Sequence, residues 1–307
     1  MRENKRIIVI GTSAGGMQAL CQLVEKLPAD FPASIFVVQH LSADSSTQFL
    51  VNRLSQHTAL TCKIAEDLDP ILPATIYMAP ADRHLLLNEE QVLIVRGPRE
   101  NQFRPSIDPL FRSAAGYHSA GVIGVILTGF MSDGVDGMES IARSGGQTVV
   151  QDPADAEYPQ LPLDVVRQVR TDHVVPLHEM ADILFRLVQK PVPAGVAVPT
   201  DIWQEVQIVE RIMRNSTMTS IEDLENLGER SPYSCPDCGG GLWEVSKAGN
   251  VSRFRCHSGH AYTQDMLLLG MSNSLEETLW VAMRTLEERR NILLNISKAE
   301  GNQNNKR

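Results

Sequence analysis

Short apolar runs rich in β-branched residues recur along the first part of the chain, and longer stretches with helical spacing separate several of them. Such runs are typical of strands buried on both faces, and their alternation with helices indicates a mostly parallel sheet. We therefore predict a doubly wound α/β fold. The predicted strands are 7–10, 34–38, 74–78, 92–95, 122–127, 147–151 and a segment near 174–177, and the predicted helices are 16–26, 46–55 and 136–144.

One pair of these runs has the pattern of a hairpin. The runs around Tyr77 and Leu93 are separated by Asn88, Glu89 and Glu90. A short polar turn between two apolar runs favours antiparallel pairing. We expect this hairpin to be added to the central sheet.

The composition changes near residue 190. Residues 191–200, PVPAGVAVPT, are punctuated by proline and have the character of a linker. A polar helical stretch (202–228), a cysteine-rich unit (231–263) and a charged helix (274–299) follow. We predict three parts: an α/β domain over 1–190, a linker and helix over 191–230, and a small metal-binding unit with a terminal helix over 231–307.

The terminal helix carries an apolar stripe at near-helical spacing, with charged residues elsewhere. Such a stripe most often packs on its own protein. A partner-binding or coiled-coil role is the alternative, and the segment is too short to argue an oligomeric state. The stripe consists of Leu275, Leu279, Ala282, Leu286, Ile292 and Leu293.

The overall charge limits the partners of the chain. A formal net charge of −9 and a pI near 5.4 argue against a protein that binds nucleic acid or an anionic membrane, since both need an excess of Lys and Arg. The longest uncharged apolar stretch, 120–130, is far short of the roughly 20 residues that a membrane-spanning helix needs. The first residues lack the apolar length of a secretion signal. We expect a soluble, cytoplasmic protein with no nucleic-acid partner and no membrane insertion.

A glycine-rich turn follows the first predicted strand. Residues 6–20 read RIIVIGTSAGGMQAL, and Gly11 to Gly15 fit the G-x-S-x-G pattern with Ser13 in the middle. In this pattern a tight strand-to-helix turn projects the serine hydroxyl above the sheet. Glycines at a helix N-terminus are equally suited to cradle a phosphate, although the G-x-G-x-x-G spacing fails at Ser13 and no Gly-Lys-Ser/Thr follows. A turn without chemistry is the third alternative.

Two further polar residues are predicted at the same edge of the sheet as Ser13. His40 follows the second predicted strand in SIFVVQHL, and Asp133 follows VIGVIL in TGFMSDG. Taken singly, such residues are commonly solvated or turn-forming. Right-handed crossovers, however, bring the carboxyl ends of parallel strands to one edge, where open α/β sheets bind ligands. Serine, histidine and aspartate there would supply a nucleophile, its base and the group that orients the base, in a chain order unlike that of α/β-hydrolases.

Ordered blocks within the first ~180 residues, the span predicted to form the α/β domain, resemble the catalytic domain of chemotaxis protein-glutamate methylesterases, the CheB family. The resemblance implies a catalytic triad of Ser13, His40 and Asp133 that hydrolyses glutamate methyl esters on chemoreceptors or another methylated protein. It also implies a second activity, the deamidation of receptor glutamine, and no cofactor is expected for catalysis. The blocks are IGTSAGGMQAL, VVQH, YMAPADRHLLL, RPSIDPLFRSAA, LTGFMSDGVDGM, DPADAEYPQLP and HVVPL.

Ester hydrolysis through a tetrahedral oxyanion needs backbone donors. The N–H of Ala14, directly after the nucleophile at a helix N-terminus, is the first candidate, and an N–H of Phe130 or Met131 is the second. Where the family usually reads Gly-Met-Gly-x-Asp-Gly, this chain has Met131 in place of a glycine, and a positive φ there would strain the loop. Many family members also carry an N-terminal receiver domain. The first predicted strand begins within ten residues here, so we expect no switching by a receiver.

Three of the five cysteines lie close to two histidines near the C-terminus. Cys235 and Cys238 form a C-x-x-C pair, and Cys256 precedes His257 and His260. This spacing predicts a zinc-ribbon-like unit with a structural Zn²⁺ and no open coordination position. A closing R-C-x-x-G-H-x-Y in some single-domain relatives favours His260 over His257 as the fourth ligand. The alternative is a metal-free unit with buried thiols, which would be poorly stabilised at this size.

Three functions compete at this point. The first is a serine esterase acting on methylated receptor glutamates. The second is a catalytically weak scaffold or binding module that uses the zinc unit and the terminal helix for protein contacts. The third is a nucleotide-binding α/β domain, which the absent phosphate motif disfavours. Labelling of Ser13 by a serine-directed phosphonate, dependent on His40, would separate the esterase from the other two.

Overall fold

The computed structural model of the protein describes residues 6–215, 220–246 and 252–304. Its α/β part contains nine strands in chain order: β1 (Ile7–Thr12), β2 (Ser34–Gln39), β3 (Thr61–Ile64), β4 (Thr75–Met78), β5 (His84–Leu87), β6 (Val92–Val95), β7 (Val122–Ile126), β8 (Gln147–Gln151) and β9 (His173–Val175). Seven of them form one sheet in the order β3-β4-β2-β1-β7-β8-β9, and every neighbouring pair is parallel. The predicted parallel α/β fold is confirmed.

Helices cover both faces of this sheet because its strands are apolar on both sides. Ile8 and Ile10 of β1 belong to one buried cluster, with residues of α1, α2 and α6. Ile7 and Val9, which alternate with them, belong to a second cluster with α3, α4 and α5. The helices are α1 (Gly16–Val24), α2 (Thr47–Ser55), α3 (Ile107–His118), α4 (Val135–Arg143), α5 (Gln160–Gln168) and α6 (Leu177–Gln189).

The predicted hairpin differs from the observed one. Tyr77 lies in β4, which is hydrogen-bonded to β2 on one side and to β3 on the other, so it has no free edge for Leu93. Leu93 pairs instead with Leu86, and β5 and β6 form a separate two-stranded antiparallel sheet. The Asn88 side chain accepts hydrogen bonds from the N–H groups of Glu90 and Gln91, which closes the turn directly after β5. The turn was correctly located, but the first strand was assigned to the wrong run.

The C-terminal part contains two short helices, a small sheet and a long helix. They are α7 (Thr200–Asn215), α8 (Ile221–Leu227), β10 (Glu229–Ser234), β11 (Gly241–Ser246), β12 (Arg253–Cys256), β13 (Ala261–Thr263) and α9 (Gln264–Asn304). The four strands are antiparallel in the order β10-β11-β12-β13. This sheet occupies the segment predicted as the cysteine-rich unit, and part of the helical stretch predicted over 202–228 lies outside the described residues.

The long helix α9 does not pack along its length as expected. Met266 and Leu267 in its first turn are buried against the small sheet. Beyond them Leu275, Leu279 and Leu286 are more than half exposed, as are Ile292 and Leu293. The expectation that this stripe packs against the rest of the protein is therefore wrong, and the partner-binding alternative stays a prediction.

In the described residues, no helix combines the length and apolarity needed to cross a membrane.

A buried cluster of six charged side chains joins the C-terminal part to the α/β domain. Arg255 of β12 places Nη2 2.8 Å from Glu100 Oε1 and 2.9 Å from Glu205 Oε1. Arg112 of α3 places Nη2 2.6 Å from the other oxygen of Glu100. Arg253 completes the cluster by contacting Glu205 and Asp136. The members are Glu100, Arg112, Asp136, Glu205, Arg253 and Arg255, and none of their side chains is more than 7% exposed.

The cluster is stable because its charges are balanced. Burial alone would raise the pKa of Glu100, but Arg112 and Arg255 outweigh burial and hold that pKa well below its usual range. The stabilisation linked to Glu100 is thus present above its ordinary pKa of 4.5 and is lost as the pH falls towards the lowered value. The division predicted at residue 190 stays a prediction, yet this cluster places both sides of it in one buried network.

Breaking the cluster should destabilise the whole chain. Arg255→Met leaves Glu100 and Glu205 without one cationic partner, and we expect a loss of roughly 3–5 kcal/mol in the free energy of unfolding. Urea denaturation followed by circular dichroism measures it. Arg284→Met is the matched control, because Arg284 is exposed on α9 and its ion pair with Glu288 contributes little. Equal midpoints for the two variants would contradict a stabilising role for the cluster.

Candidate active site and metal centre

Ser13 lies in the tight turn between β1 and α1. Its N–H donates to the carbonyl of Thr128 at 3.1 Å, and its own carbonyl accepts from Gly16 N–H at 3.1 Å and from Gln39 Nε2 at 2.6 Å. Gly15 has φ +73°, a left-handed conformation that glycine adopts without strain. The turn therefore fixes the Ser13 backbone, and the Ser13 hydroxyl points towards the end of β2.

His40 and Asp133 reach Ser13 from the two strands that flank β1. β1 pairs with β2 on one side and with β7 on the other, so their carboxyl ends lie side by side. His40 follows β2 directly, and its Nδ1 lies 3.1 Å from Ser13 Oγ. Its Nε2 lies 2.7 Å from Asp133 Oδ2, in the loop between β7 and α4. The three predicted residues thus form one continuous hydrogen-bonded chain.

The Asp133 carboxylate is buried and fully engaged at the N-terminus of α3. Oδ1 accepts from Asn101 Nδ2 at 2.8 Å and from Ser106 Oγ at 2.7 Å, and Oδ2 accepts from the N–H of Ile107 at 2.6 Å besides His40. The helix N-terminus adds a positive partial charge. These donors hold Asp133 in position and favour its ionised form.

A second carboxyl group, Asp108, lies beside Asp133, and its pKa shifts in the opposite direction. Burial raises the pKa of Asp108 well above its usual range, and the charge of Asp133 adds to the rise. Burial also opposes ionisation of Asp133, but the hydrogen bonds from His40, Asn101 and Ile107 outweigh it and lower its pKa. The surroundings therefore favour the ionised form of Asp133, the carboxylate that contacts the imidazole.

The imidazole of His40 is further held by an aromatic ring. The ring of Phe103 stacks on it, with centroids 3.6 Å apart and planes 8° apart. With Ser13 and Asp133 bonded to its two nitrogens, this contact restricts the remaining rotation of the ring. A nucleophile, a base and an oriented carboxylate in this geometry are suited to acyl transfer.

The three candidate oxyanion donors lie in the two loops next to Ser13. Ala14 follows it in the turn, and Phe130 and Met131 lie in the loop after β7, where both are exposed. In the part of the chain that the structure describes, none of their three N–H groups donates a hydrogen bond to a protein acceptor. Met131 has φ +66°, the positive value anticipated where the family usually has glycine. The assignment of these donors stays a prediction.

The cysteine-rich unit brings together the four predicted ligands. The ligand atoms of Cys235, Cys238, Cys256 and His260 all lie within 4.8 Å of one another, so this group could hold a metal ion. His260 Nδ1 is 3.5 Å from Cys256 Sγ. Hydrogen bonds with Cys256 and His260 lower the pKa of the Cys235 thiol, and the contact with Cys235 together with burial raises the pKa of Cys256. His257 is not part of the group.

Several residues of the site were missed by the sequence interpretation. Asn101, Phe103, Ser106 and Asp108 lie within nine positions of one another, in or next to the RPSIDPLF block. That block was noted for its resemblance, but its polar residues were given no role. Ser106 and Asp108 have the pattern of a helix N-terminus, and an N-terminus near Asp133 is a signal that could have identified them.

Comparisons with known proteins place the α/β part of the chain in one family. The family model of the CheB methylesterase matches residues 8–184. A protein of Leptospira interrogans named putative protein-glutamate methylesterase/protein-glutamine glutaminase is 37% identical over 187 residues, which cover 61% of this chain and 96% of that protein. The crystal structure of the Thermotoga maritima CheB methylesterase catalytic domain matches with a TM-score of 0.58 and 33% identity, over 61% of this chain and all of that domain.

Other relatives are longer than the matched region. A protein-glutamate methylesterase/protein-glutamine glutaminase of Trichodesmium erythraeum is 38% identical over 184 residues, or 59% of this chain and 52% of that protein. This chain thus spans about half the length of some curated relatives that it matches. The family model ends at residue 184, before the cysteine-rich unit begins.

The left-handed Met131 provides a test of loop strain. We expect Met131→Gly to be more stable than Met131→Ala by up to about 1 kcal/mol, because only the alanine variant keeps a Cβ in a left-handed backbone. Both variants lack the methionine side chain beyond Cβ and differ only in Cβ itself. The difference between their thermal unfolding midpoints therefore measures the cost of a Cβ at this left-handed position. An alanine variant as stable as the glycine variant would show that φ at this position relaxes without cost.

Proposed function

Because this chain belongs to the CheB methylesterase family, we propose that it is a serine esterase that hydrolyses glutamate methyl esters on chemoreceptors or another methylated protein. The observation that carries the proposal is the chain of hydrogen bonds from Ser13 through His40 to Asp133. Relatives named protein-glutamine glutaminase support a second activity, the deamidation of glutamine, which uses the same attack on a side-chain carbonyl.

The reaction begins with attack by Ser13. His40 Nδ1 takes the hydroxyl proton as Oγ bonds to the ester carbonyl carbon, and the Nε2–H of His40 remains bonded to Asp133. Asp133 stabilises the imidazolium formed in this step and keeps the ring in the tautomer that accepts at Nδ1. His40 then gives the proton to the departing methoxide, which leaves as methanol. His40 then deprotonates a water that attacks the acyl carbon, and it returns that proton to Ser13 Oγ as the acyl–oxygen bond breaks and the glutamate side chain is released.

The negative charge that develops on the carbonyl oxygen needs donors close to Ser13. We assign this role to the N–H of Ala14 and to an N–H of Phe130 or Met131. Their lack of protein acceptors within the described residues leaves them available to the substrate. A donor of this kind contributes about 3 kcal/mol to transition-state stabilisation.

We further propose that the four-residue cysteine and histidine group holds a structural Zn²⁺. Three thiolates and one imidazole match the donor set of such sites, and four protein ligands leave no position for a substrate. The metal would stabilise the small sheet, and no step of the reaction passes through it.

None of the five cysteines forms a disulfide, which is consistent with a reducing compartment, so we propose a cytoplasmic location.

A binding role is the second candidate function, favoured by the exposed apolar stripe of α9. Leucines at 275, 279 and 286 are more than half exposed. A scaffold would use this stripe for protein contacts and would need no reactive Ser13. Reactivity at Ser13 therefore distinguishes a working esterase from a pure scaffold.

The triad predicts the behaviour of two variants. Ser13→Ala should abolish both labelling by a fluorophosphonate and methanol release from a methylated chemoreceptor, because the nucleophile is lost. Asp133→Asn should slow labelling on the order of 10⁴-fold, since the amide favours the wrong imidazole tautomer. Ser42→Ala, an exposed serine on a nearby loop, is the matched control and should react at the wild-type rate. Wild-type rates in the triad variants would remove the triad from the mechanism.

The metal site predicts a difference between two histidines. His260→Ala should lose about one equivalent of bound zinc from the purified full chain, because one of four ligands is removed. His257→Ala should retain the metal, since His257 is outside the ligand group. Elemental analysis of both variants measures the stoichiometry. Zinc loss in the His257 variant with retention in the His260 variant would reverse the ligand assignment.

A further inference from the structure

A short segment of the α/β domain touches both the triad and the small C-terminal sheet. This bridging segment, residues 100–103, precedes α3. On one side the amide of Asn101 donates to Asp133, and on the other its Oδ1 accepts from the N–H of Thr263 in β13 at 2.9 Å. Asn101 therefore contacts a carboxylate of the active site and the backbone of the metal-binding unit with the same side chain.

The backbone of the bridging segment is fixed by the same strand. The N–H of Asn101 donates to the carbonyl of Ala261 at 2.8 Å, and Glu100 forms a parallel bridge with Ala261. Asn101 and Gln102 have φ values of +50° and +68°. Left-handed backbone at consecutive non-glycine residues persists only where the surroundings impose it. Here β13, which directly follows the proposed ligand His260, supplies the contacts.

Phe103 makes a second connection between the two sites. Its ring stacks on His40 and also packs against the apolar cluster under the small sheet, which includes Cys235, Cys256 and Tyr262. A third contact joins Ser132, the neighbour of Asp133, to Thr263 through their hydroxyl groups at 3.0 Å. Each part of the triad other than Ser13 is thus supported by a residue that the C-terminal unit holds.

We propose that the metal-binding unit positions the triad through the bridging segment, with Asn101 and Phe103 as positioning residues. The inference rests on the proposed esterase function and adds that the C-terminal unit controls the geometry of its triad. When the small sheet is folded, Asn101 orients Asp133 and Phe103 restricts the imidazole. When the sheet loosens, both contacts lose their support and His40 no longer holds the geometry needed to accept the Ser13 proton.

The first test compares single variants of the full chain by their rate of fluorophosphonate labelling at Ser13. We expect Asn101→Ala to react on the order of 100-fold more slowly, as a misplaced catalytic group does. Asn88→Ala is the control, because that side chain closes the β5–β6 turn. Phe103→Leu should also be slow, and Phe103→Tyr, which keeps the stacked ring, should recover most of the rate.

The second test is a double-mutant cycle between Asn101→Ala and Cys238→Ser. If the unit acts through the bridging segment, the Cys238 variant is slow by itself and adding Asn101→Ala changes the rate little further. If the rate effects of the two substitutions multiply in the double variant, the proposal is overturned. A Cys238 variant that loses zinc yet labels at the wild-type rate would overturn it as well. Cys62→Ser, outside the ligand group, controls for loss of a thiol. Should Cys238→Ser fail to fold, the Phe103 pair decides, because equal rates for leucine and tyrosine would contradict positioning by the ring.

A spectroscopic readout separates this inference from the esterase proposal. The proton between His40 and Asp133 should give a downfield NMR resonance in the wild type, and we expect it to broaden or disappear in Asn101→Ala and in Phe103→Leu. If the wild type is not labelled at Ser13, the esterase proposal fails, and the resonance alone then decides the bridging role. An unchanged resonance together with unchanged labelling would overturn the inference while leaving the esterase intact.

Discussion

The buried balance of three carboxylates and three guanidinium groups is the constraint on which the architecture depends. Its members come from α3, α4, α7, β12 and the segment before α3, so the cluster is neutral only when all of these elements are in place. A missing element leaves an unpaired charge in a site closed to water, which costs far more than an exposed ion pair contributes. The cluster therefore acts less as a source of net stability than as a requirement for correct assembly.

Charge placement follows the same logic at the active site. Two neighbouring carboxyl groups cannot both ionise cheaply in a buried position. The donors around Asp133 and the N-terminus of α3 lower the pKa of Asp133, whereas burial and the charge of Asp133 raise the pKa of Asp108. The negative charge thus stays next to the imidazole, where it can stabilise the cation formed during proton transfer.

Much of this arrangement could be predicted from local sequence. Most strands of the central sheet are short apolar runs. Ser13 and His40 directly follow two of them, and Asp133 lies in the loop after a third. The cysteine and histidine spacing likewise predicted the group of four side chains that could hold a metal ion. These features depend on short-range pattern and on the rule that parallel strands end at one edge.

The missed features depend on contacts between distant parts of the chain. α3 was not predicted because Pro109 and Gly116 interrupt its pattern, although proline is tolerated in a first turn. β3 is a short, half-exposed edge strand with a mixed sequence. Asn101, Glu100 and Arg255 carry no local signal of their role, because their partners lie up to 162 residues away. The expectation that the α9 stripe is buried was wrong, because an apolar stripe predicts that the helix face packs against something but does not identify the surface that it packs against.

The sequence separation between Glu100 and Arg255 has a consequence for synthesis of the chain. Translation delivers Ser13, His40 and Asp133 long before β12 and β13 leave the ribosome. Until then Glu100 lacks its second cationic partner, Arg255, and Asn101 lacks the strand that fixes it. A nascent chain can form the central sheet early, but the contacts of Asn101 with β13 form last, after the C-terminal unit has docked. Premature termination before residue 261 would then yield a central sheet whose Asn101 lacks its contacts with Ala261 and Thr263.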